Sequence, residues 1–201
     1  MLRVSHIENA IFSSRTYILS PENGSDAWLV DCGDLTPVTD YLGSMVGDTY
    51  CIRGVLLTHV HYDHFYGLPE LTKQFPSIQV YTNESGKQAL ANNRVNMSRY
   101  HDDPINYDSG NVIVCGEGSV IDLFDGVSAH VYYTPGHSPS CLTFEIANYL
   151  FTGDAFIPGF SVVTRFRDSD KKLAAQSLDR IKLLAGDRIV CPGHEIKDVV
   201  Y

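Results

Sequence analysis

Within six residues, His59-Val60-His61-Tyr62-Asp63-His64 gathers three imidazoles and one carboxylate. In a chain of this composition, a His-x-His-x-Asp-His match arises by accident about once in a thousand times. The cluster directly follows Gly54-Val55-Leu56-Leu57-Thr58, an apolar run that reads as a buried strand. Alternate residues leaving a strand point the same way, so His59 and His61 can reach one metal ion. Asp63 and His64 lie where the chain turns and can address a second position nearby. Imidazole nitrogen and carboxylate oxygen are ligands for zinc, iron and manganese.

Three later segments share one grammar, a strand followed by a polar residue on a tight turn: Thr134-Pro135-Gly136-His137, Phe151-Thr152-Gly153-Asp154 and Cys191-Pro192-Gly193-His194. The glycine before each ligand permits a sharp turn and close approach. Any one of them alone is more often a turn than a ligand. Downstream of the histidine cluster, the three together point to a metal site.

These residues need a scaffold that delivers strand ends to one place. Thr16–Leu19 and Ala27–Asp31 read as a hairpin around Pro21-Glu22-Asn23-Gly24. Helices are expected at Leu35–Met45, Leu68–Phe75 and Ser85–Asn92, with a strand at Ile78–Tyr81. The stretch from Asn93 to Gly118 is irregular, which fits either a functional or a merely mobile loop. Strands resume at Val120–Leu123, His130–Thr134, Cys141–Ile146 and Tyr149–Thr152. An amphipathic helix is expected over Asp170–Ala185, with Leu173, Ser177, Leu178, Ile181 and Leu184 on one side and Gly186 as its cap. Arg188–Cys191 is the last strand. Hairpins in each half and helices after strands predict two mixed sheets packed face to face and covered by helices, in one domain over residues 1–201.

Composition narrows the function. Fifteen Lys plus Arg against twenty-four Asp plus Glu give a net charge of −9 in 201 residues, which excludes the broadly basic surface of a nucleic-acid binder while leaving a local basic patch open. No run approaches the 18 or so apolar residues of a membrane span. The start, Met1-Leu2-Arg3-Val4-Ser5, lacks the basic head and apolar run of a signal peptide. Five widely spaced cysteines, an odd number with no Cys-x-x-Cys pair, predict reduced, buried thiols and a cytoplasmic location.

The ordered set His59-x-His61-x-Asp63-His64, His137, Asp154 and His194 resembles the metallo-β-lactamase-fold hydrolases, and the resemblance covers nearly the whole chain. Trp28-Leu29-Val30-Asp31-Cys32-Gly33-Asp34 is similar to that superfamily's second core strand and the Asp-x-Gly turn after it. The resemblance implies an αββα sandwich of α/β (α+β) class with two metal ions at one edge of the sheets. Carried over by position, His59, His61 and His137 bind the first ion. Asp63, His64 and His194 bind the second, and Asp154 bridges both. Zinc is the foremost candidate, with iron or manganese also suited. Position 61 is His rather than the Glu of the flavoprotein di-iron branch, which disfavours electron transfer. Cys141 is not placed like the thiolate ligand of one lactamase class. The pattern is most like the glyoxalase II branch in a short form; with seven residues after His194, the helical domain that helps bind glutathione in the long enzymes is expected to be absent.

The function so implied is hydrolysis of a thioester: a metal-bound hydroxide attacks an acyl carbon, and Asp63 acts as the catalytic group that orients it. The partner is a small molecule. Arg165, Arg167, Lys171 and Lys172 follow Asp154 and fall within eight positions of one another, and they could hold an anionic substrate, although the two lysines equally suit a solvated helix start. Tyr100, His101 and Tyr107 could form a lid or pocket wall, or an ordinary loop. Phe156, Ile157 and Phe160 could line an acyl pocket or join the core. His6 and His130 read as structural or exposed. Other readings are a mononuclear iron oxygenase acting on persulfides, a lactone or β-lactam hydrolase, a nuclease, and a non-catalytic metal-binding module.

Overall fold

The computed structural model describes residues 1–195. The first sheet has six strands in the order β1-β2-β3-β4-β5-β6. Strands β1 (Leu2–Glu8), β2 (Arg15–Pro21) and β3 (Asp26–Val30) form an antiparallel meander. The expected hairpin is β2–β3, with Ile18 opposite Leu29. Strand β1 is unforeseen because its alternation of Leu2 and Val4 breaks at His6-Ile7. Beyond β3 the chain alternates strand and helix. Helix α1 (Leu35–Val46), β4 (Cys51–Leu56), α2 (Leu68–Gln74), β5 (Gln79–Thr82), α3 (Glu84–Leu90) and β6 (Val112–Val114) follow in order, and β3 to β6 pair in parallel.

The second sheet reads β11-β10-β9-β8-β7. Strands β7 (Val120–Phe124), β8 (Val127–Tyr133), β9 (Leu142–Ile146) and β10 (Tyr149–Gly153) form an antiparallel meander. Helix α4 (Lys171–Ala185) then returns the chain to β11 (Ile189–Pro192), parallel to β10.

Burial explains the layers. Leu19, Trp28, Val30 and Leu56 of the first sheet pack against Val131, Leu142, Phe144 and Phe151 of the second. Each such fully buried side chain contributes about 1.5–3 kcal/mol. Trp28 also donates its indole N–H to the Leu123 carbonyl at 3.0 Å, tying the sheets together. Leu35, Val38 and Leu42 of α1, Leu68 and Leu71 of α2, and Ala89 and Leu90 of α3 cover the outer face of the first sheet. Ile181 of α4 covers Leu150 and Ala155 on the outer face of the second. The order is helix, sheet, sheet, helix, as expected.

Helix α4 turns most of its expected face inward, with Leu184 packed beside Ile181, and departs from it at Leu173. Leu173 is 40% exposed, and Ala174, Ser177 and Ile181 point inward. The inward register is set where α4 meets the His137 turn: a Cβ on Gly136 would strike the Ala174 backbone, and Ser177 Oγ donates to the Pro135 carbonyl at 2.6 Å. Asp170 caps the helix by accepting from Lys172 and Leu173 backbone N–H, and Gly186 ends it at φ +44°. The 93–118 stretch holds a 3-10 turn at Ser98–Tyr100 and strand β6, whose three residues are too short to signal. Among the described residues no helix is long and apolar enough to cross a membrane. The five cysteines are unpaired; four are buried and Cys51 is half-buried, against the expectation that all are buried.

Candidate metal centre

The seven expected ligands leave four different strand ends at one edge of the sandwich. His59, His61, Asp63 and His64 follow β4, His137 follows β8, Asp154 follows β10 and His194 follows β11. The chain turns through a 3-10 segment at Tyr62–His64, which swings Asp63 and His64 away from the strand direction. Three groups of side chains each bring ligand atoms within 4.8 Å of one another: His59, His61 and His137; Asp63, His64 and His194; and His59, His64 and Asp154. Asp154 lies 3.6 Å from His137 Nε2 with one oxygen and 3.6 Å from His64 Nε2 with the other, so it stands between the first two groups.

Gly153 and Gly193 make this convergence possible. Gly153 has φ +50°, and a Cβ there would strike Thr58 Oγ1. A Cβ on Gly193 would strike Asp154 Oδ1 and crowd His64 Cε1. Both turns demand the close approach that only glycine allows.

The outer ring nitrogens are occupied, which orients the inner ones. His64 Nδ1 lies 2.9 Å from Asp31 Oδ2, His137 Nδ1 2.8 Å from the Val163 carbonyl and His194 Nδ1 2.9 Å from the Phe12 carbonyl. A proton on each of these Nδ1 atoms leaves an Nε2 lone pair facing the centre. Asp31, which sequence reasoning quoted only as part of a turn, is therefore a supporting residue of the site. It is buried, accepts from Thr58 N–H and Thr58 Oγ1 at 2.7 Å each, and holds φ +61°. That strain, of order 1–3 kcal/mol, persists because the surrounding hydrogen bonds over-determine it. The only advance signal was an Asp directly after a buried strand.

Charge is divided across the cluster. Burial, then the neighbouring imidazoles, holds His59 far below the usual histidine range and pushes His61 down to about 3. Burial likewise lowers His137. These three are neutral, the ligating form. Burial opposes charge on His64 and His194 too, but Asp63 and Asp154 prevail: His64 is held well above its ordinary value and His194 is raised to about 9. Burial works against the Asp63 and Asp154 carboxylates, and the facing His64 and His194 outweigh it, keeping both acids low.

The donor set fits divalent ions on a structural ground. His59 Nε2, His61 Nε2 and Asp154 Oδ1 are buried with no hydrogen-bond partner. A buried polar atom left unpaired costs about 1–3 kcal/mol, so His59 Nε2 and Asp154 Oδ1 call for something that binds them, while His61 meets the cluster through Nδ1, 2.9 Å from His137 Nε2. Five imidazoles and two carboxylates suit zinc, iron or manganese.

A cleft of about 360 Å³ opens onto His61, Asp63, His137, Asp154 and His194. Phe12, Tyr62, Tyr100, His101, Arg165 and Phe166 wall it. Tyr100, His101 and Arg165 thus border the cleft, while Arg167 lines an adjoining groove. Tyr107 is not a wall: it is buried beneath α2, with its hydroxyl 2.8 Å from Thr72 Oγ1. Lys171 and Lys172 are exposed at the start of α4 and line neither cavity. Phe156 packs on the α4 cluster, and Ile157 and Phe160 line a shallow cavity beside His194. His6 and His130 are exposed and outside the cleft. Cys141 is buried against Ser138, outside the three ligand groups, with its thiol pushed up to about 12 by burial. Phe12, Met97 and Phe166 were not foreseen at the cleft, because loop aromatics and a loop Met carry no periodic signal. A larger depression of about 990 Å³ lies between the β2–β3 and β7–β8 turns, and none of the candidate ligands lines it.

Comparison with known proteins agrees with this geometry. The chain is 33% identical over 176 residues to a hydroxyacylglutathione hydrolase of Hahella chejuensis, and 31% identical over 170 residues to one of Xylella fastidiosa. These alignments cover 85% and 84% of this chain but 57% and 55% of the relatives, so the chain spans little more than half the length of the curated relatives it matches. Its fold is similar to that of the BLEG-1 B3 metallo-beta-lactamase, with a TM-score of 0.85 at 24% identity over 96% of this chain and 92% of that one. A family model described as the metallo-beta-lactamase superfamily matches residues 16–194, from β2 through the last candidate ligand, and the chain belongs to that superfamily.

Proposed function

We propose that this protein is a dinuclear metal-dependent hydrolase that cleaves a thioester, in the manner of the hydroxyacylglutathione hydrolases it is similar to, and that residues 1–201 form one domain serving that reaction. The observation that carries the reading is the convergence of seven His and Asp side chains, three of their buried atoms unpartnered, at the floor of an open cleft. His59, His61 and His137 would hold one ion, Asp63, His64 and His194 the other, and Asp154 both. When bound, such ions lower the pKa of water to near neutrality and polarise an acyl carbonyl.

The chain's own residues do the rest. The Asp63 carboxylate stays ionised at neutral pH, so it can orient the attacking water and accept its proton. A C–O bond forms as the C–S bond breaks, and the proton passes to the leaving sulfur, giving a carboxylic acid and a thiol. Phe166 stands edge-on to His61 and His137, with centroids at 4.9 and 5.5 Å, and with Phe12 gives the cleft an aromatic wall. Asp31 holds His64 in one tautomer. The buried, unpaired thiols support a reducing, cytoplasmic setting.

The test is hydrolysis of S-lactoylglutathione by zinc-loaded protein beside a chelator-stripped control. Metal-dependent turnover supports the reading. Protein that holds two ions per chain yet leaves the thioester intact moves the substrate to lactones or other acyl compounds. A single iron per chain favours the oxygenase chemistry instead.

A further inference from the structure

The metal cleft continues into a second groove of about 750 Å³, and the two share Met97, Tyr100, Arg165 and Phe166. Four arginines line it: Arg94 and Arg99 from the segment after α3, and Arg165 and Arg167 from the segment after β10. In a protein of net charge −9 such a concentration is unusual. Arg53, Arg180 and Arg188 are paired with Asp26, Glu117 and Glu145. Among the described residues the four groove arginines have no carboxylate partner within 4.0 Å. One carboxylate, Asp168, shares the groove. Tyr100 is 76% exposed there, with the Arg99 guanidinium 5.6 Å from its ring centre.

Both walls are anchored. Asn96 is fully buried and donates to the Ala89, Leu90 and Ile105 carbonyls at 3.0–3.2 Å while accepting from Ser98 N–H at 3.0 Å. Its neighbour Met97 holds φ +65°, a cost that a pinned segment can sustain. Across the groove, the Val163 carbonyl meets His137 Nδ1 and Ser169 Oγ donates to the His137 carbonyl at 2.7 Å. Arg165 and Arg167 thus lie between two ties to a candidate metal ligand.

We propose that this groove is the subsite for an anionic arm on the leaving thiol of the substrate. The proposal rests on the thioester reading above and specifies the half of the substrate that departs. Guanidinium forks match carboxylate and phosphate oxygens alike. The charge balance favours phosphate: four guanidiniums against one carboxylate suit an arm of several negative charges better than glutathione, whose ammonium offsets one of its two carboxylates. The exposed Tyr100 beside Arg99 offers a face on which a nucleotide base can stack.

The experiment compares three lactoyl thioesters, of coenzyme A, of glutathione and of neutral N-acetylcysteamine, in the zinc-loaded wild type and in R94Q/R99Q. The double variant is expected to raise KM about tenfold for the coenzyme A thioester and two- to threefold for the glutathione thioester, with kcat held. The neutral thioester should shift less than twofold. Calorimetry should show adenosine 3′,5′-bisphosphate binding the wild type and binding the double variant about tenfold more weakly. Equal shifts for all three thioesters, or none, would overturn the subsite. A larger loss for glutathione would overturn the phosphate assignment. If no thioester turns over, the thioester reading fails, and the bisphosphate titration still decides the groove: no binding by the wild type overturns it.

Discussion

At the scale of single residues, the candidate centre depends on groups that touch an ion and groups that aim them. His59 is fully buried and offers an unpartnered Nε2 to both ligand groups it belongs to. His59→Ala should abolish hydrolysis and lower the metal content, with far-UV circular dichroism unchanged; full activity in that variant would sink the ligand assignment. Asp31→Asn keeps the shape but removes the carboxylate that receives the His64 proton and two Thr58 bonds. Metal affinity should fall about 10- to 100-fold, the usual consequence of losing such a partner, as read by competition with a chromophoric chelator. The seven candidate ligands were legible in sequence because each sits in a short, chemically improbable pattern. Asp31 was not, since its importance lies in a neighbour 33 residues away.

At the scale of elements, the strands were legible where apolar runs are long, as in β2, β3 and β9, whose residues are almost all buried. Strand β6, with three residues, was not, and the α4 face was legible except at Leu173, where the helix meets the His137 turn. The 93–118 segment, irregular in sequence, is held by the side chains of Asn96, Ser98, Asn106 and Tyr107. Asn96→Ala would remove one of two donors from each of the Ala89, Leu90 and Ile105 carbonyls and leave the buried Ser98 N–H without its acceptor, at a cost of about 1–3 kcal/mol. The expected result is a lowered Tm together with loss of the Tyr62–His101 stack, now 3.9 Å between centroids, seen as a raised KM. Gly193→Ala is a contrasting case. Its Cβ meets Asp154 Oδ1 and His64, so metal binding should be lost while the sandwich core, which the residue does not enter, remains folded.

At the scale of the molecule, the candidate ligands come from both sheets, so an ion bound among them clasps the two halves together. At a thousand times its dissociation constant, a ligand stabilises the folded state by about 4 kcal/mol. In a chain of this size that corresponds to roughly 8–16 °C in Tm, and chelation should lower the melting temperature by that order. Proton linkage gives a second check. In the metal-free protein His64 and His194 are both raised, His194 to about 9, so both are cationic at pH 7. Ligating nitrogens must be neutral, so metal uptake at pH 7 should release about two protons and weaken as pH falls. Calorimetry in buffers of different ionisation enthalpy reads that number. The metal-free fold should behave in the opposite sense. The stability these cations contribute is complete below the unfolded histidine value near 6.5 and is lost as pH rises through about 9 for His194. Thermal melts of chelated protein should therefore fall in Tm between pH 6.5 and 9.5, and a flat profile would refute the charge assignment.

Family membership and the ligand set could be read from the chain because motif spacing is a local property, written in consecutive residues. The alternation of apolar strands and capped helices likewise announced two covered sheets. Three things depended on the folded chain. Asp31 and the Phe12 carbonyl reach their histidines across 33 and 182 positions of sequence. Tyr107 turned inward to the α2 core and Tyr100 outward to the cleft, although both belong to one irregular stretch. Arg94 and Arg99 meet Arg165 and Arg167 in one groove. Each is a long-range juxtaposition, settled by which surfaces the two sheets and their helices bury against one another, and such information is spread over the whole molecule rather than carried by any one segment.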